Sequence, residues 1–224
     1  MTNDFQKYAM KHRGINSTLI DSYTKKVKVN TTQHILDDAS EGIMIDIFSK
    51  LIDNRIIFLS TEMESEICNI IKAQLLYLEQ LDPTKDIKIY IDSPGGSVYS
   101  GLGLLDTMEY ISPDIITVNT GLAASMAAVI LCAGAKGKRK SLKRARVMCH
   151  QPMSGGYGYS QASDMAIDAK EINSLKKELY EIISENTGQP YDKVEKDADR
   201  DYWMTATEAK KYGMIDEIIL PRKK

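Results

Sequence analysis

From about Asp46 onward the chain alternates short apolar runs with stretches of helical period, joined by connections of a few residues. That alternation limits the possible folds more than any other feature. Arg55–Ser60, Asp86–Ile91, Ile115–Asn119, Arg146–Cys149 and Met214–Leu220 read as strands, β-branched and apolar or alternating. Between them, Ile67, Ile70, Ile71, Leu75 and Leu78 mark one helical face, with Thr61 and Glu64 expected as a capping box ahead of it and Asp82-Pro83 ending it. Further helices are expected through Leu102, Leu105 and Met108, over Gly121–Gly134, from about Ser163 to a Gly188 cap, and from near Thr205. Connections this short leave no room for a second core. They predict a single α/β domain of repeated strand–helix units with largely parallel strands. Sites in such sheets form at the carboxyl ends of strands, which singles out Ser93–Ser97, Thr120–Ser125 and His150–Gly158.

Composition excludes more than it assigns. A formal net charge of −2 over 224 residues gives no electrostatic case for nucleic acid or an anionic membrane. The basic run Lys136–Arg146 is expected to be solvated loop or edge-strand charge. The apolar run Leu122–Ala135 is too short to span a bilayer. Cys68, Cys132 and Cys149 cannot all pair, and they read as reduced, buried thiols. No signal-peptide core appears at the start, and a cytoplasmic protein is expected. Residues 1–30 are polar and weakly periodic, expected as a flexible arm or a removable leader.

Few residues suit nucleophilic or acid–base chemistry. Of three histidines, only His150 stands at the end of an apolar strand beside a glycine-rich loop. Ser125 opens an apolar helical stretch after a strand, where unpaired N–H groups and the positive end of the helix dipole would stabilise an oxyanion. The surroundings resemble a nucleophile elbow without matching G-x-S-x-G. On these residues alone, a packing serine is the simpler reading. Cys149 is the rival nucleophile, but as the strand neighbour of His150 it should point to the opposite face. The SPGGS turn lacks a dinucleotide or Walker pattern, so its glycines more plausibly aim a backbone N–H into a site.

Three segments taken together, YIDSPGGSVYSGLGLLDTM, GLAASMAAVILCAGAKGKR and RVMCHQPMSGGYGYSQASD, resemble the family of Clp protease proteolytic subunits, self-compartmentalised serine peptidases. The likeness runs from about Asp46 to Ile219 and continues through NTGQPYDKVEKDADRDYWMTATEAKKYGMID. It implies a ClpP/crotonase-like fold with a protruding handle helix. It implies a catalytic triad of Ser125 as nucleophile, His150 as general base and Asp201 as the orienting acid. Gly96 and Met126 match the backbone N–H groups of the oxyanion hole. An extended substrate would lie between the edges carrying Ser97 and Val98 on one side and Pro152 and Met153 on the other. Gly155–Ser163 and the helix after it match the handle by which two seven-subunit rings meet, and Asp199 and Arg200 match charges that pair across the rings.

The same resemblance implies a homo-oligomer of two stacked heptameric rings, an AAA+ unfoldase of the ClpX, ClpA or ClpC type, and unfolded protein substrates. It implies no cofactor and no metal in this chain, ATP being used by the unfoldase. The domain would span residues 46–224, preceded by an axial-loop segment at 31–45, within which Ile35–Met44 matches the family poorly. Two other classes fit the sequence less well. An inactive ring scaffold would have lost triad residues, and a crotonase-like acyl-CoA enzyme would not need Ser125, His150 and Asp201 at these positions.

Overall fold

In a computed structural model, residues 2–20, 47–154 and 161–221 are described. The axial-loop segment and most of the glycine-rich loop, residues 155–160, lie outside them. After an N-terminal helix α1 (Thr2–Arg13) come α2 (Ile47–Asp53), β1 (Ile56–Leu59), α3 (Ser65–Leu81), β2 (Ile87–Ser93), α4 (Val98–Tyr110) and β3 (Ile115–Ala124). Then follow α5 (Met126–Cys132), β4 (Lys140–Leu142), β5 (Arg146–Cys149), α6 (Ala162–Thr187), α7 (Tyr191–Asp197), β6 (Tyr202–Thr205), α8 (Ala206–Tyr212) and β7 (Glu217–Ile219). The expected mixed α/β domain is therefore present.

The sheet is parallel along β1-β2-β3-β4-β7. β3 divides its far edge between two partners: Val118 and Asn119 pair with β4, while Leu122 to Ala124 pair with β5. β6 then adds antiparallel to β5. This split brings the last residues of β3 beside β5, the strand that leads into His150. The helix expected over Gly121–Gly134 accordingly starts later. Gly121 to Ala124 remain strand, because their backbone pairs with β2 and β5, and only Met126–Cys132 are helical.

The core forms where the apolar faces meet the sheet. Ile67, Ile70, Ile71, Leu75 and Leu78 of α3 are all buried, as are Ile87, Ile89 and Ile91 of β2. Each such side chain contributes about 1.5–3 kcal/mol on leaving water. α5 is buried on every side, so its position is fixed by packing all around. Gly188 ends α6 with φ 74°, as its sequence position predicted.

Several expectations need correction. Thr61 and Glu64 form no capping box: Glu64 itself is the N-cap and makes no side-chain cap bond, while the Thr61 hydroxyl donates to the Glu62 carbonyl. Residues 2–20 are not an arm free of the core. Ala9 and Ile20 are buried, and Tyr8 packs against Tyr77 of α3 with ring centroids 5.3 Å apart. The basic run is not all solvated charge either. Arg139 is buried and held by Asp216, and Lys140 begins strand β4.

Candidate active site

The sheet register dictates which side chains meet. Ala124 is paired with Met148, and the Ser125 N–H donates to the Met148 carbonyl at 2.9 Å. Ser125 is thus clamped beside the end of β5. On the other side of β5, Cys149 pairs with Tyr202 of β6. Because that pair is antiparallel, the next residues outward, His150 and Asp201, fall opposite each other. The result is a line of three side chains. His150 Nε2 lies 2.9 Å from Ser125 Oγ, and His150 Nδ1 lies 3.0 Å from Asp201 Oδ1. An ionised carboxylate only accepts, so Nδ1 carries the proton and Nε2 is left to accept from the serine hydroxyl.

Ser125 sits at φ 55° and ψ −128°, one of two positive-φ residues other than glycine among the described residues. A non-glycine residue there costs about 1–3 kcal/mol. The strand-to-helix turn is sharp enough to need it, and the turn lifts Oγ out of the sheet toward His150. This is the physical content of the elbow-like reading, reached without the G-x-S-x-G pattern.

The SPGGS turn packs directly on this elbow. A Cβ on Gly95 would lie 2.6 Å from the Ala124 carbonyl oxygen, 2.7 Å from Ser125 Cβ and 3.0 Å from the Met126 nitrogen, so no side chain fits. Gly96, at φ 150°, is held from the other direction by Met63, which donates to the Gly95 carbonyl at 2.7 Å and accepts from the Ser97 N–H at 2.9 Å. Those bonds leave the Gly96 N–H unengaged among the described residues, and the Met126 N–H, first in α5, is unengaged likewise. Two N–H groups, those of Gly96 and Met126, are therefore unengaged beside the serine turn.

The remaining expected residues are near but play less defined parts. Ser97 caps α4, its side chain accepting from the Ser100 N–H, and Val98 opens the helix. Pro152 is half-buried and Met153 is 77% exposed, two and three residues after His150. Asp199 and Arg200 are both exposed, and Gln151 Nε2 donates to the Asp199 carbonyl at 2.7 Å. Cys149 faces the interior, where burial pushes its thiol well above its ordinary range, so it offers little thiolate. Burial likewise raises Cys68 to about 11 and Cys132 to about 12.

Supporting contacts went unread in the sequence. The Ser93 hydroxyl donates to the Thr61 carbonyl at 2.6 Å and accepts from the Gly95 N–H at 3.2 Å, tying down the glycine turn. Asp92 Oδ1 accepts from the Leu122 N–H at 2.9 Å, bracing the strand that leads to Ser125. The only signal for either was their place in a DSPGG turn, where Asp and Ser bond locally to backbone. Among the described residues no group of three or more His, Cys, Asp or Glu side chains is placed to hold a metal ion, and no helix is long and apolar enough to cross a membrane.

The family model for Clp protease matches residues 38–222. The chain is 54% identical over 221 residues to an ATP-dependent Clp protease proteolytic subunit of Bacteroides fragilis, covering 98% of this chain and all of that protein. It is 52% identical over 223 residues to the protein of that name in Porphyromonas gingivalis, covering 99% of this chain and all of the relative. A cyanobacterial relative, the ATP-dependent Clp protease proteolytic subunit 2 of Parasynechococcus marenigrum, is 55% identical over 186 residues, or 83% of this chain and 93% of its own.

Proposed function

This chain belongs to the Clp protease family, and from that premise we propose that it cleaves peptide bonds with Ser125 as nucleophile, His150 as general base and Asp201 as the group that orients the imidazole. The chain is a serine peptidase, the proteolytic subunit of an ATP-dependent Clp system. The observation that carries the residue assignment is the His150 ring bridging Ser125 Oγ and Asp201 Oδ1 at 2.9 and 3.0 Å.

The chemistry follows from the protonation states. Nε2 takes the Ser125 proton as Oγ attacks the peptide carbonyl, and Asp201 stabilises the imidazolium that forms. The carbonyl oxygen becomes an oxyanion, which the Gly96 and Met126 N–H groups bind. One such donor is typically worth about 10²–10³ in rate. The imidazolium then gives its proton to the departing amine, leaving an acyl-enzyme that water hydrolyses by the same path in reverse. An extended peptide would add as a strand between Ser97-Val98 and Pro152-Met153, which reads main chain more than side chains and suits unfolded substrates of many sequences.

In the assembly we infer, two seven-subunit rings stack through the handle, Asp199 and Arg200 pair across the rings, and an AAA+ unfoldase feeds substrate to the chamber. No cofactor is needed in this chain, and the system works in the cytoplasm. Residues 1–30 would be the leader removed on maturation, with residues 31–45 as the axial-loop segment after it. The scaffold and acyl-CoA alternatives gain no support from the relatives. The test is Ser125→Ala: cleavage of a short fluorogenic peptide should vanish while the oligomer persists by size exclusion. Activity surviving that change would reject the serine-peptidase assignment of this residue.

A further inference from the structure

Gly101 lies in the first turns of α4 and is buried. Its N–H donates to the Ser97 carbonyl at 3.0 Å, so its backbone is committed to the helix. Its bare Cα faces the side chain of Met126. A Cβ at this position would lie 2.8 Å from Met126 Cε, 2.9 Å from Sδ and closer still to Cγ, all inside the distances real Cβ atoms keep. Met126 is itself only 2% exposed, within a helix buried on every side, so it has nowhere to swing. Glycine in a helix interior costs about 0.5–1 kcal/mol relative to alanine. The helix bears that cost where α4 packs against the Met126 side chain of α5.

One of the two unengaged donors lies just ahead of α4 and the other opens α5. Gly96 precedes the cap of α4, and Met126 is the first residue of α5. The separation of the donors therefore depends on how α4 seats against α5, and Gly101 against Met126 is a contact of that packing with no room for a Cβ. We propose that Gly101 is a positioning residue for the oxyanion hole: the missing side chain lets Met126 seat fully and so fixes the distance between the Gly96 and Met126 N–H groups. This rests on the reading of those two groups as the oxyanion donors.

A double-mutant cycle on the assembled full chain tests it. The variants are Gly101→Ala, Met126→Ala and both together, with Ser125→Ala as the control. Turnover of a fluorogenic peptide is measured alongside binding of a peptide boronate, whose tetrahedral adduct on the serine places an oxygen in the oxyanion hole. Gly101→Ala should lower kcat about 10- to 100-fold, the scale of a sub-ångström to 1 Å misplacement. Boronate affinity should fall by a similar factor while KM stays within about threefold, because ground-state binding is untouched. In the Met126→Ala background, where the colliding atoms are gone, the same change should cost less than about twofold. Wild-type kcat in Gly101→Ala, or an equal loss in both backgrounds, would overturn the proposal. If Gly101→Ala alone does not fold, the double variant still decides: activity matching Met126→Ala supports the role, and activity well below it refutes it. Persistent cleavage by Ser125→Ala would instead sink the nucleophile assignment.

Discussion

Two polar constellations in this molecule are built from similar bonds and put to opposite uses. In one, Arg139 is held by four side-chain hydrogen bonds. Its Nε and Nη2 donate to the two Asp216 oxygens at 2.9 and 2.6 Å, and its Nη1 donates to the carbonyls of Cys132 and Asn186 at 3.2 and 2.7 Å. The Arg139 side chain is 7% exposed and each of its three nitrogens donates. In the other, Ser125, His150 and Asp201 form a line whose acid is 60% exposed and whose serine is half-buried. The closed cluster holds β4, β7 and the end of α6 together. The open one keeps Ser125, the proposed nucleophile, at a strained φ of 55°. Polar groups serve folding when every partner is filled, and chemistry when one partner is left for the substrate.

The contrast can be broken at either end. The largest effect expected is from His150→Ala, which removes the base and should cut kcat by about 10⁴-fold or more with thermal stability nearly unchanged. Stopped peptide-cleavage assays and a melting curve on the same sample decide it; a loss of stability comparable to the loss of rate would mean the line of three is structural. Asp201→Asn should follow, with a fall of up to about 10⁴-fold through the wrong imidazole tautomer. An unchanged rate would contradict its orienting role.

At the closed end the readouts reverse. Asp216→Asn leaves a buried guanidinium without its counter-charge and should cost about 3–5 kcal/mol in denaturant unfolding, with kcat near wild type in whatever remains folded. The Arg139 hydrogen bonds hold the Asp216 carboxyl below the usual range. Its stabilising contribution is therefore complete above the unfolded carboxylate pKa of about 4 and is lost as pH falls through the lowered folded value. The stability gap between wild type and Asp216→Asn should narrow below pH of about 4, and a gap independent of pH would refute the pairing as its source.

The smallest effect expected concerns two copies of one pattern. Thr61-x-x-Glu64 and Thr205-x-x-Glu208 look alike, yet only the second closes a capping box, with Thr205 accepting from the Glu208 N–H and Glu208 accepting from Thr205. Thr205→Ala should destabilise by about 1 kcal/mol. Thr61→Ala should not act through capping at all, and equal costs at both sites would blur the distinction.

That pair shows why parts of the fold were legible and parts were not. The main strands and α3 follow from apolar spacing, because burial on the sheet face enforces the period. Helix starts depend on one residue of register, which spacing does not carry, so Thr61 misled. β4 was hidden because Lys140–Leu142 is three residues long and sits within a basic run. Arg139 looked like surface charge because its partner is 77 residues away. Residues 2–20 carry too few apolar side chains to show a stripe, yet Ala9 and Ile20 suffice to dock them. In the site, the strand-end positions of Ser125 and His150 were visible. Asp201 entered through the family likeness, since its meeting with His150 depends on the antiparallel pairing of β5 with β6, whose half-exposed Tyr-Trp-Met-Thr run has little strand pattern.

The central claim is that Ser125 is the residue that becomes covalently bound to substrate. Treating the assembled protein with a fluorophosphonate and mapping the adduct by peptide mass spectrometry tests this most directly. The account predicts a single adduct on Ser125, forming in step with loss of peptidase activity and slowed strongly by His150→Ala. An adduct on another residue that accompanies the same loss of activity, or full inactivation with Ser125 unlabelled, would contradict it.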